Sequence, residues 1–148
     1  MGTRASSARR MPSKKPRAPG PFDLGGTFVH LEDGPQALPV KVTPNLWERV
    51  EASRQLTGGR MVGLNRARQP DDLHPSEWER HPAGDELVCL LSGAVDLVLD
   101  ETGGERRVEL RAGLGFIVPR GVWHRFVRRG PCDLLFVVRG SGTELRSV

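Results

Sequence analysis

Apolar residues recur at every second position through most of this chain, in short runs broken by glycine and proline. That period of two predicts strands with one face packed and one face wet. The runs fall at residues 27–31, 38–42, 61–64, 76–81, 86–91, 94–100, 106–111, 115–118, 122–127 and 134–139. Leu38, Val40 and Val42 alternate cleanly enough to read as an edge strand, and the polar Asn65 to Arg68 follow the third run. The period changes once. Leu46, Trp47 and Val50 recur at helical spacing behind Thr43-Pro44, which predicts one short helix with Thr43 as its N-cap and Pro44 in its first position. It should end before Gly58-Gly59, and Gln69-Pro70-Asp71-Asp72 should be a loop.

Many short strands, compact turns and little helix predict an all-β fold of two packed sheets, a sandwich or jelly roll. No repeat of solenoid or propeller length is present, and 148 residues suit one domain. Charge divides the chain. Residues 1–20 carry six basic side chains and no acid, so the net +4 leaves −2 on the remainder. Residues 1–21 are therefore expected to be a disordered basic arm and 22–148 the folded domain. The arm lacks interleaved aromatics, so it reads as a solvated tail and not as a nucleic-acid contact. No apolar stretch is long enough for a signal peptide or a membrane span, which points to the cytoplasm. Cys89 and Cys132, without CxxC spacing, read as buried thiols.

Candidate chemistry gathers in two places. Glu79 and His81 are two apart on a predicted strand and so share a face. Pro82 and Gly84 then turn the chain, and Glu86 opens the next strand. Such a hairpin can aim three side chains at one point, and His124 would join them after a corner at Pro119 and Gly121. Two imidazoles and two carboxylates suit one divalent transition metal, with Fe, Mn or Ni favoured and Zn compatible, and leave two octahedral positions open. The alternative for Glu79 is a solvent-facing side chain beside Arg80.

These residues resemble the two cupin motifs. The first runs His, any, His, four spacers, Glu, six spacers, Gly; His81, Glu86 and Gly93 match, and Glu79 takes the first His position. The second runs Gly, five spacers, Pro, any, Gly, two spacers, His, three spacers, Asn; Gly113, Pro119, Gly121 and His124 match, and Arg128 stands for the Asn. The chain is also similar to small bacterial cupins reading Trp-Glu-any-His-Pro-any-Gly-Asp-Glu. The resemblance covers roughly residues 75–140 and implies a cupin double-stranded β-helix, a jelly-roll barrel, holding a small-molecule ligand and pairing as a homodimer. It implies a reaction list and not one reaction: dioxygenase, isomerase or decarboxylase, or a sensor that binds a metabolite without turnover. Arg128, four residues past His124, would aim its guanidinium into the barrel beside Phe126 as an anchor for a carboxylate or phosphate, or else fray into water at a strand end.

Overall fold

The computed structural model describes residues 20–148, so the expected arm at 1–21 lies almost wholly outside the described residues. Among the described residues, eleven strands form two antiparallel sheets. The first carries, in order, β2 (Ala37–Lys41), β1 (Thr27–Leu31), β3 (Arg60–Ala67), β10 (Cys132–Val138), β5 (Glu86–Ser92) and β8 (Gly115–Val118). The second carries β11 (Glu144–Ser147), β4 (Glu77–Arg80), β9 (Trp123–Arg128), β6 (Ala94–Glu101) and β7 (Gly104–Arg111). The expected all-β, two-sheet jelly-roll architecture is present, with the 38–42 run at the sheet edge as β2.

Alternation sets the faces. On β9, His124 and Phe126 are buried while Trp123 before them and Arg125 between them are only half-buried, and the same period runs through β10 from Cys132 to Val138. The two inner faces meet over a core that includes Val88, Leu90, Leu97, Leu99, Leu134 and Phe136. At about 25 cal/mol per Å² of apolar area buried, this facing pair of sheets is the main source of stability. Gly63 is fixed by that packing, since an added Cβ would come 2.7 Å from a Phe28 ring carbon.

Three local readings need correction. The helix α1 spans Leu46–Ala52, so it starts later than Pro44; Asn45 occupies the N-cap, and the Thr43 hydroxyl donates to Asn45 Oδ1 instead of capping. The segment read as a loop contains a 3₁₀ turn, Pro70–Leu73, closed by reciprocal bonds between Gln69 and Asp72. Strand β11 was not anticipated: all four of its residues are exposed and show no alternation.

Candidate metal centre and cavity

Each of the four expected ligands is placed by a different piece of local structure. Glu79 lies on β4 opposite His124 on β9. Glu86 opens β5 in the other sheet, and His81 sits one residue past the end of β4 and so just off the strand. Two ties hold the connecting turns together. The Gly121 N–H donates to the His81 carbonyl at 3.1 Å, which needs the positive φ of 78° that glycine adopts without strain. The Arg120 N–H donates to Asp85 Oδ1 at 2.9 Å, so the motif acid beside Glu86 anchors the corner that delivers His124.

One donor atom from each of the four lies within 4.8 Å of the others. His124 Nε2 is 2.9 Å from Glu86 Oε2 and 3.6 Å from Glu79 Oε1; His81 Nε2 is 3.2 Å from Glu86 Oε2 and 4.0 Å from Glu79 Oε2. An octahedral ion with bonds of about 2.1 Å separates its ligand atoms by roughly 3.0 to 4.2 Å, so the set fits after shifts of a few tenths of an ångström. Both imidazoles are oriented from behind. His124 Nδ1 donates to the Val122 carbonyl at 3.0 Å, and His81 Nδ1 bonds Thr143 Oγ1 at 3.0 Å, which leaves each Nε2 facing the centre. His81 Nε2 is buried without a hydrogen-bond partner, the kind of orphaned lone pair a cation satisfies.

Charge is finely balanced here. Burial disfavours a charged His124, but the hydrogen bond and charge of Glu86, helped by Glu79, outweigh it and raise the imidazole above its usual range. Burial likewise opposes ionisation of Glu86, and the bond from His124, with His81 3.2 Å away, overcomes it and holds that carboxyl low. Burial and then the neighbouring charge of Glu86 push Glu79 up. Its side chain keeps 34% of its area accessible and lines the cavity.

The cavity has a volume of about 680 Å³, and Glu79, His81 and Glu86 reach it while His124 sits behind them, fully buried. Phe126 lines it. Arg128 does not, although its Nε and Nη1 are buried without partners; the basic residue that does is Arg125, which alternation alone would turn away. His74 stands at the mouth, whereas His30 lies outside the cavity lining, with its Nε2 donating to the Gly58 carbonyl at 2.6 Å and its Nδ1 buried without a partner. Trp78 and Trp123 lie on the opposite face of the sheet, with Arg146 5.4 Å and 4.5 Å from their ring centres. Thr143 and Asp85 escaped the sequence reading: Thr143 lies 62 residues from the imidazole it holds and carries no local signal, while Asp85 was visible only as part of the Gly-Asp-Glu run. Cys89 and Cys132 are free thiols, the second buried.

The sequence model for the cupin domain matches residues 69–138, which contain all four candidate ligands. Among solved structures, a cupin-2 domain-containing protein from Shewanella frigidimarina is similar at 19% identity over 53% of this chain and 68% of that one, with a TM-score of 0.42. The hydroxypropylphosphonic acid epoxidase of S. wedmorenis aligns at 22% identity over 57% of this chain and 45% of its own, TM-score 0.42. An oxalate decarboxylase variant from Bacillus subtilis aligns at 19% identity over 60% of this chain and 24% of its own, TM-score 0.47. This chain thus spans less than half of either enzyme. No curated protein sequence matches it.

Proposed function

Residues 69–138 are a cupin domain, and on that premise we propose that Glu79, His81, Glu86 and His124 hold one divalent transition ion, Fe, Mn or Ni before Zn, for the oxygenation or isomerisation of a small organic molecule. The observation that supports this is the convergence of four donor atoms within 4.8 Å, one of them the unpartnered His81 Nε2, at the wall of a half-open cavity. When bound, the ion would supply Lewis acidity and, if redox-active, a means of handling oxygen.

The protein's own groups do the rest. Phe126 and its apolar neighbours bind the organic body; the Val122 carbonyl fixes the tautomer of His124, and the Thr143 hydroxyl orients the His81 ring. Glu79 is the candidate for moving a proton, because it is the most accessible of the four and lines the cavity. Arg128 is outside the cavity wall, so the anion-anchor role is not carried into this proposal. Elemental analysis of protein purified without chelator or a nickel column tests the centre: about one first-row ion per chain is expected, and a metal-free chain that also refuses Fe, Mn, Ni and Zn on titration overturns it. A ligand recovered unchanged after prolonged incubation with the loaded protein would assign the sensor reading instead.

A homodimer is part of the same proposal. What supports it is the outer face of the six-stranded sheet, where Leu87 (42% exposed) and its cross-strand partner Ile117 (63%) stand beside Leu91 and Leu114, all open to water.

A further inference from the structure

Arg128 is the last residue of β9, yet it does not fray. It stands opposite Val95 in the ladder to β6, and the next N–H along, that of Arg129, still donates to the Ala94 carbonyl at 3.3 Å. By alternation its side chain leaves the same face as His124 and Phe126, two residues beyond the ring that lines the cavity. Four residues past His124 is about 13 Å along the strand, so this position is separate from the candidate metal centre. Its charge also reaches the fully buried Cys132 thiol, opposing the upward push of burial there, which sets the guanidinium on the interior side.

What Arg128 lacks is an acceptor. Its Nε and Nη1 are buried and bond nothing, and no carboxylate comes within ion-pair distance of it among the described residues. The arginines around it are served. Arg129, next in sequence, pairs with Asp96 at 2.9 Å, and Arg68, whose Nη1 donates to the Cys132 carbonyl, pairs with Asp133 at 2.7 Å. Asp72, the acid that the charge of Arg128 reaches, is already taken: its Oδ2 accepts the N–H groups of Arg68 and Gln69 at 2.7 Å each. A guanidinium with two nitrogens withdrawn from water and no counter-charge is costly, and an anion from outside removes that cost. The way in is open, because the side chain is only half-buried and Nη2 is not among its buried atoms.

We infer that Arg128 is an oxyanion site at the end of the barrel away from the candidate metal centre, taking a carboxylate or a phosphate on the forked edge formed by Nε and Nη2. The anion is either free in solution or the charged end of a molecule in the cavity reaching past Phe126; the chemistry at Arg128 is the same. The site goes beyond the proposed function and needs no metal.

The test is a calorimetric titration of the full chain as purified, in a buffer free of oxyanions, with inorganic phosphate, acetate and 3-phenylpropionate as probes. At least one should bind with a dissociation constant of about 1 mM or below. Arg128→Gln should weaken that probe at least about tenfold, and Arg128→Lys, which keeps the charge but loses the fork, at least about threefold. Arg111→Gln, which removes a guanidinium whose side chain is 74% exposed, should leave it unchanged. Phenylpropionate about tenfold ahead of acetate assigns the anion to a cavity ligand, and phosphate ahead of both assigns it to a free ion. Affinities equal in the parent and Arg128→Gln overturn the inference, as does the absence of binding by all three probes at about 10 mM. Should Arg128→Gln fail to fold, the Lys variant decides in its place, and parental affinity there overturns the forked site.

Discussion

Glu79 and His124 are register partners across β4 and β9, and theirs is the one rung that pairs those two strands. The sheet therefore opens on either side of the point where a carboxylate and an imidazole face each other at 3.6 Å. Next to His124 on β9, Arg125 donates to the Pro75 carbonyl and stands in the cavity wall.

His81→Ala or His124→Ala should lower bound metal from about one ion per chain to below about a tenth, read by elemental analysis. Glu79→Gln, which removes the most exposed ligand, should retain part of it. Full occupancy in a His81→Ala/His124→Ala double variant would sink the assignment.

Thr143→Val removes the hydroxyl that orients His81 and changes little else in volume. Metal affinity should fall about 10- to 100-fold, with a melting temperature close to that of the parent metal-free chain. Unchanged affinity in a competition assay with a coloured chelator would show that the Thr143 bond is incidental.

Asp96 is buried on the outer side of β6, 2.9 Å from both Arg107 and Arg129. Burial opposes its charge, but Arg129 and then Arg107 outweigh that and hold its carboxyl below the usual range. A group lowered in the folded state stabilises above its unfolded value and loses that contribution as pH falls through the folded one. Asp96→Asn should therefore cost about 1 kcal/mol near neutral pH, discounted because both arginines are half-exposed, and the gap to the parent should close in acid below about pH 4. A gap that widens on acidification contradicts this in denaturant titrations run across the range.

Leu87→Asp/Ile117→Asp places two charges on neighbouring strands of the exposed apolar face. If that face joins two copies, light scattering should show the parent as a dimer and the variant as a monomer of about half the mass. An unchanged mass removes the face from the interface.

The strands were legible because each buries one face, so Val88 and Leu90 or Phe136 and Val138 print their alternation on the chain. Where that cause is missing, so is the signal. Strand β11 is exposed throughout, and the 3₁₀ turn depends on a side-chain exchange between Gln69 and Asp72 that no hydrophobic period records. The candidate ligands were legible for a different reason: turns at Gly84 and Gly121 fix their spacing. The environment of the cavity was not. Arg128 and Arg125 differ by an odd step along β9, and Arg125 reaches the cavity with a hydrogen bond to the Pro75 carbonyl, fifty residues away in sequence, a tertiary matter that alternation does not record.

Glu86 comes from one sheet and Glu79 and His124 from the other, so an ion at their meeting point would fasten the two halves of the barrel as a rivet does two plates. Such a fastener binds only the assembled form, and each tenfold rise in its free concentration above the dissociation constant adds about 1.4 kcal/mol to resistance against unfolding. The temperature at which this protein melts would then track how much metal its surroundings supply, making durability itself a readout of nutrient status.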